Sequence, residues 1–203
     1  MIYAKEIIVI LASYLVGCVT MGYYLVRLIA GRDIRSAGSG NAGARNAGRV
    51  LGAKGFIITF AGDFSKGLIV MLIASALQLE HWAIQLVLLA VVAGHIWPIQ
   101  LRFKGGKGVA VTLGALAVWD YRFLLVLCIV FAVGYACCRK YIISGMIAIL
   151  LLPVTAVLTG RPTSDIITIV VLTLVVLLAH RTNICQCFRS DRVMDKPVKE
   201  REA

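Results

Sequence analysis

Apolar stretches of membrane-spanning length constrain the fold of this chain more than any other feature. A helix needs about 20 largely apolar residues to cross the hydrocarbon core of a bilayer. Six stretches approach this length, at residues 7–29, 56–79, 82–101, 123–138, 142–158 and 166–179. Because 60% of the 203 residues are hydrophobic and only 15% are charged, these stretches predict an all-α integral membrane protein and argue against an ordinary soluble fold.

The basic residues alternate between the gaps that separate these stretches. Arginine and lysine are concentrated at 31–55, 102–108 and 139–140 and in the C-terminal tail, whereas the intervening gaps contain only Arg122 and Arg161. The positive-inside rule therefore predicts an N-terminus outside the membrane, a C-terminus in the cytoplasm and an odd number of crossings.

Seven crossings are reached only if a shorter apolar segment, Val109–Trp119, also spans the membrane. A helix of this length extends only about 16 Å, well short of a hydrocarbon core of roughly 30 Å. We therefore expect the glycine-rich segment before it to enter a protein-lined cavity at membrane depth. We divide the chain into a multi-span domain at 1–184 and a basic cytoplasmic tail at 185–203.

The long gap at 31–55 is rich in glycine, asparagine, serine and arginine. Its glycines can present backbone amides to an anion, Ser39, Asn41 and Asn46 add hydrogen-bonding groups, and its arginines can hold phosphate oxygens. Its glycine spacing matches G-x-G-x-x-G, but it follows a membrane span instead of a strand, so we do not expect a dinucleotide there. A solvated basic loop that only obeys the positive-inside rule is the simpler alternative.

A second glycine-rich cluster, Lys104-Gly-Gly-Lys-Gly108, directly precedes the short span. Backbone amides at the start of a helix, together with Lys107, can bind a phosphate group. The cluster lacks the spacing of a Walker A loop. The alternative interpretation is that its lysines only anchor a helix end at the membrane surface.

Ionisable residues also occur inside the spans. Asp63 and Lys66 share one helix face, and we interpret them as an ion pair that supports the site, with direct substrate contact as the alternative. His95 is interpreted as a packing or supporting group. His180 lies at the cytoplasmic end of the last span, and Asn183, three residues later, is expected to face the same cavity.

Five motifs follow one another along the chain: GSGNAGARNAGR at 38–49, DFSKG at 63–67, GHIWP at 94–98, FKGGKGVA at 103–110 and HRTNI at 180–184. Together they resemble the bacterial acyl-phosphate-dependent glycerol-3-phosphate acyltransferase family. The resemblance implies seven helices in a bacterial cell membrane. It also implies transfer of the acyl group of an acyl phosphate to the 1-hydroxyl of glycerol 3-phosphate. An acyl phosphate carries a good leaving group, so positioning and charge stabilisation can suffice without a covalent nucleophile.

The resemblance also implies a set of site residues. These are Ser39, Asn41, Arg49, Lys107, His180 and Asn183, with Gly105, Gly106 and Gly108 forming a phosphate loop. Arg49 and Lys107 would hold phosphates, and Ser39, Asn41 and Asn183 would orient substrate oxygens. His180 would either position a phosphate or accept the hydroxyl proton.

Two positions depart from the family pattern, and both are candidate substrate-binding residues. Arg45 stands where the family usually has threonine, which adds a charge to the expected site. Ser144 stands one residue later, relative to the aromatic Tyr141, than the serine that the family places in this loop.

Two other functions are compatible with the residues alone: a transporter for an anionic metabolite and a catalytically silent lipid-binding homologue. No sequence feature requires a metal, a nucleotide or an acyl-carrier cofactor, and none indicates nucleic acid. The expected partners are acyl phosphate, glycerol 3-phosphate and membrane lipids, and a monomer is compatible with the sequence.

Overall fold

The computed structural model describes residues 3–182, and all regular secondary structure in that range is helical. The helices are α1 Ala4–Cys18, α2 Met21–Ala30, α3 Ala44–Ala76, α4 His81–Ile96, α5 Val109–Trp119, α6 Tyr121–Cys138, α7 Tyr141–Leu158 and α8 Thr163–Ala179. With α1 and α2 counted as one segment, five segments in this range are long and apolar enough to cross a membrane, and α5 and α8 are shorter apolar helices. The predicted tail at 185–203 lies outside the described residues.

The first span is interrupted between α1 and α2, and two charged side chains of α3 satisfy the interruption. Lys66 Nζ donates to the carbonyl oxygens of Gly17 and Val19 at 2.9 and 2.7 Å. Asp63 Oδ1 accepts from the backbone N–H of Met21 at 3.3 Å. A cation thus lies at the C-terminal end of α1 and an anion at the N-terminal end of α2, as the helix dipoles favour. The interruption gives both charges a structural reason to lie within the spans.

Glycines allow two helix pairs to approach backbone to backbone. Gly17 of α1 faces Gly94 of α4, and Gly67 of α3 faces Gly114 of α5; a Cβ at any of the four would overlap main-chain atoms of the facing helix. Small residues are the usual means of close packing between membrane helices. The second pair brings the short helix α5 into close contact with α3.

The start of α3 corrects one expectation. The whole segment 31–55 was expected to be a loop, but residues from Ala44 onward are helical, and Gly52, with φ 72° and ψ −165°, kinks the helix before it enters the bundle. The reason is burial, because Asn46 and Ala47 are 1% and 0% exposed and tie this first part of α3 to the preceding loop.

The ends of the helices form two polar layers. The end that carries residues 31–43, 102–108 and 139–140 is called the site end, and the opposite end is called the far end. At the far end Asp120 is paired with Arg161, and Asp165 Oδ1 lies 2.6 Å from His81 Nε2. These contacts join the starts of α4, α6 and α8.

Candidate active site

A cavity of about 600 Å³ opens at the site end and extends between the helices. Its mouth is polar and is lined by Ser39, Asn41, Arg45, Arg49, Lys107, Gly108 and His180. Its inner part is apolar and is lined by residues of α6, α7 and α8, including Leu127, Phe131, Ile149, Leu152 and Leu172. A chamber of this kind can hold an amphiphilic ligand with an anionic head and an apolar chain.

The first wall of the mouth is the segment 31–43, and Asn46 holds it in shape. The Asn46 amide donates to the carbonyl oxygens of Ile34 and Ala37 at 3.1 and 2.9 Å and accepts from the N–H of Ser39 at 2.9 Å. Gly38, at φ 57°, lies against the Asn46 amide where a Cβ would overlap it. Asn46 was expected to offer a hydrogen bond to an anion, but its amide is committed to the loop backbone.

The second wall is the segment 102–108, and it is hydrogen-bonded to the end of α4. The N–H groups of Gly105 and Gly106 donate to the carbonyl oxygens of Ile96 and His95 at 3.1 and 3.0 Å. The carbonyl of Gly105 in turn accepts from Ala42 of the first wall at 3.3 Å. Gly105 and Gly106 were expected to bind phosphate. Their amides instead hydrogen-bond to the end of α4, and neither residue lines the cavity.

Three cations and a helix N-terminus converge at the mouth. Gly108, at φ 84°, turns the chain into α5 so that the first residues of the helix, Val109 and Ala110, line the cavity. Burial, and secondly the nearby guanidinium groups of Arg45 and Arg49, lower the pKa of Lys107 to about 8. Like charges this close are the arrangement expected where an anion binds.

Few acidic side chains line the cavity. Among residues 3–182, Asp63 is the one acidic side chain in the cavity lining, and it lies 3.0 Å from Lys66 Nζ. Arg45, Arg49 and Lys107 therefore outnumber the acidic side chains among the described lining residues, and a phosphorylated ligand carries charge of the opposite sign.

His180 stands at the edge of the mouth with its tautomer constrained. Its Nδ1 lies 2.8 Å from the carbonyl oxygen of Val176, which can only accept, so Nδ1 carries a hydrogen. Burial lowers the pKa of His180, and the charge of Lys107 adds to the effect, although the Val176 hydrogen bond opposes it. A neutral imidazole with hydrogen on Nδ1 leaves Nε2 as an acceptor for a hydroxyl.

Arg45 reaches across the cavity to α7. Its guanidinium carbon lies 5.0 Å from the centroid of the Tyr141 ring, a cation–π contact. Tyr141 itself packs edge-on against Phe131, with ring centroids 5.1 Å apart. The charge at this departure from the family pattern therefore lies in the cavity lining, next to the apolar part.

Of the two remaining predicted residues, Ser144 does not line the cavity. Ser144 is 1% exposed, its hydroxyl donates to the carbonyl of Lys140 at 3.0 Å, and it is absent from the cavity lining. Asn183 lies outside the described residues. Conversely, Asp63 and His95 line the cavity, although the supporting role was the preferred interpretation of both. The signal for them was present, since ionisable residues inside a span usually face a cavity.

Similar proteins match this chain over most of its length. A family model described as glycerol-3-phosphate acyltransferase matches residues 7–190. Glycerol-3-phosphate acyltransferase 1 of Desulfitobacterium hafniense is 43% identical over 179 residues, which cover 88% of this chain and 89% of that protein. The protein of the same name from Bacillus cereus is 40% identical over 183 residues, which cover 90% and 99%.

Two solved structures are similar to the whole bundle. Both are of PlsY (YgiH), an integral membrane glycerol 3-phosphate acyltransferase. Its glycerol 3-phosphate form has a TM-score of 0.86 and 30% identity, covering 92% of this chain and 94% of that one. Its lysophosphatidic acid form has a TM-score of 0.82 and 28% identity, covering 92% and 93%. Every residue that lines the cavity falls within the range that the family model matches.

Proposed function

Because the chain belongs to the glycerol-3-phosphate acyltransferase family, we propose that it takes an acyl phosphate as donor and acylates the 1-hydroxyl of glycerol 3-phosphate. The products are lysophosphatidate and inorganic phosphate. The protein is a multi-pass membrane enzyme of phospholipid synthesis. A relative of the same fold has been solved in forms with glycerol 3-phosphate and with lysophosphatidic acid, which agrees with the acceptor and the product.

One observation carries the proposal: Arg45, Arg49, Lys107 and the N-terminus of α5 converge at one end of an apolar cavity. Both proposed substrates bring a phosphate group, and one of them also brings an acyl chain. The cations and the helix N-terminus would hold the phosphates. The apolar lining of α6, α7 and α8 would hold the chain.

The chemical step needs little more than this arrangement. The 1-hydroxyl oxygen attacks the acyl carbonyl carbon and forms the ester bond. The bond from that carbon to the bridging phosphate oxygen breaks, and phosphate leaves with the electron pair. The hydroxyl proton passes either to His180 Nε2 or to a phosphate oxygen. Ser39, Asn41 and Asn183 are proposed to orient the substrate oxygens, and Arg49 and Lys107 to hold the charge that moves onto the leaving phosphate.

The site end is proposed to face the cytoplasm, because the basic loops lie there. Two exposed positions test this orientation in a cysteine-free variant: Arg32→Cys at the site end and Glu80→Cys at the far end. A membrane-impermeant maleimide added to intact cells should label only the Glu80→Cys protein. Labelling of Arg32→Cys alone would reverse the orientation.

The reaction is tested with purified protein in detergent, supplied with acyl phosphate and glycerol 3-phosphate. Phosphate and lysophosphatidate should appear in equal amounts. Lys107→Ala should abolish both, whereas Arg139→Ala, which removes an exposed charge at the site end outside the cavity lining, should not.

Two outcomes would contradict different parts of the proposal. Lysophosphatidate formed from acyl coenzyme A but not from acyl phosphate would exclude the proposed donor and keep the acceptor. No lysophosphatidate from folded protein with either donor, across several chain lengths, would favour a catalytically silent lipid-binding protein or a transporter.

A further inference from the structure

Three ionisable side chains from two helices meet beneath the mouth of the cavity. Lys66 Nζ lies 3.0 Å from Asp63 Oδ1 and 2.9 Å from His95 Nδ1, and His95 Nδ1 lies 3.4 Å from Asp63 Oδ1. None of the three residues is more than 8% exposed. Buried charges are costly, and replacing a buried pair by apolar side chains is often neutral or stabilising. Stability alone is therefore a poor explanation for this cluster.

The cluster is connected to the first wall of the site through the interruption of the first span. Lys66 and Asp63 bind the backbone on both sides of it. The helix that follows, α2, carries Gly22, which packs so closely on the carbonyl of Ala42 that a Cβ would overlap it. Ala42 directly follows Asn41 in the cavity mouth. The orientation of α2 therefore determines where the first wall lies.

The same cluster is connected to the second wall through His95. The backbone carbonyl of His95 accepts from Gly106, and Gly106 packs against the imidazole where a Cβ would overlap the ring. Lys107 is the next residue, and α5 begins two residues after it. The position of the His95 ring and carbonyl therefore determines where Lys107 and the helix N-terminus point.

We propose that Asp63, Lys66 and His95 form a positioning unit. This unit fixes the distance between the two walls of the mouth, so that both walls can contact the phosphate groups of the two substrates at once. The proposal rests on the proposed function for the identity of the ligands. Directional hydrogen bonds to fixed backbone groups specify this separation more sharply than apolar packing would, because they have preferred distances and angles. The three residues act through the walls and are not assigned a part in the chemical step.

The double variant Asp63→Asn/Lys66→Met tests the unit, because it removes both charges and leaves no lone ion buried. Its matched control is Asp120→Asn/Arg161→Met, which removes the ion pair at the far end, where neither residue lines the cavity. Each protein is measured for its melting temperature, for its Kd for glycerol 3-phosphate and inorganic phosphate well below melting, and for kcat and KM.

The melting temperature reports whether either double variant has lost stability. Only the site-end variant should bind glycerol 3-phosphate more weakly, and its kcat should fall by about a hundredfold, the loss of rate that a misplacement of about 1 Å can cause. His95→Gln should retain most of the binding, because its amide oxygen can still accept from Lys66, whereas His95→Leu should lose it. These comparisons separate positioning from stability, since a purely structural role would leave Kd unchanged in protein that is folded.

An unchanged Kd in the site-end double variant, whatever its melting temperature, would overturn the proposal. Equal binding by His95→Gln and His95→Leu would also overturn it. A wild-type protein that binds glycerol 3-phosphate but forms no lysophosphatidate would contradict the proposed reaction instead, and the binding comparison would stay interpretable.

Discussion

Lys107 should make binding of glycerol 3-phosphate depend on pH near the physiological range. Its pKa is about 8 in the ligand-free protein. Lys107 is therefore charged in about nine-tenths of the molecules at pH 7 and in about one-tenth of them at pH 9. A phosphate binds the charged form. The Kd should therefore rise about twofold between pH 7 and pH 8 and about tenfold between pH 7 and pH 9.

Arg45 should control where this rise begins. Its guanidinium is one of the two neighbouring charges that lower the pKa of Lys107, after burial itself. Arg45→Gln removes that repulsion and should move the onset to higher pH, even though loss of the cation weakens binding at every pH. Arg139→Gln, an exposed position outside the cavity lining, serves as the control and should leave the onset in place.

Titration calorimetry between pH 6.5 and 9.5, in buffers of different ionisation enthalpy, measures both quantities. Above pH 8, binding should take up a proton, because the bound phosphate raises the pKa of Lys107. A Kd that stays level up to pH 9.5, no proton uptake, or an onset that moves to lower pH in Arg45→Gln would refute the reasoning.

Three further substitutions separate the roles of neighbouring residues. If His180 Nε2 accepts the hydroxyl proton, His180→Gln should lower kcat by about 10²-fold or more, with little change in Kd. An unchanged kcat in steady-state assays would assign that proton to a phosphate oxygen instead. Asn46→Ala removes three hydrogen bonds to the backbone of the first wall, one of them buried and two part-buried. We therefore expect a loss of about 1–3 kcal/mol in unfolding free energy and a higher KM, measured by denaturation and kinetics. Unchanged stability would show that the wall holds its shape without the amide. Ser144→Ala should keep kcat/KM within about twofold of the wild-type value, because the Ser144 hydroxyl donates to the carbonyl of Lys140 and does not line the cavity. A larger loss would show that Ser144 contributes to the site.

The spans were predictable because they depend on local composition. A stretch such as Trp82–Leu101 is apolar over the length that a bilayer requires, whatever it packs against. The short span at Val109–Trp119 was inferred from the count of basic gaps, and the structure has a helix, α5, at these residues. Within the first loop, the helical turns from Ala44 onward were missed because burial of Asn46 depends on contacts with residues 34–39 that composition does not show.

Several members of the site were also predictable from residue type and motif, since Ser39, Arg49, Lys107 and His180 are all polar groups beside spans, and all four line the cavity. Which groups of a motif face the cavity was decided by the tertiary structure. Gly105 and Gly106 belong to the same motif as Gly108, but their amides face carbonyl groups of α4 and only Gly108 faces the cavity. A motif specifies which groups are near one another, whereas the direction of each N–H and the partner of each charge depend on helices brought together from distant parts of the chain.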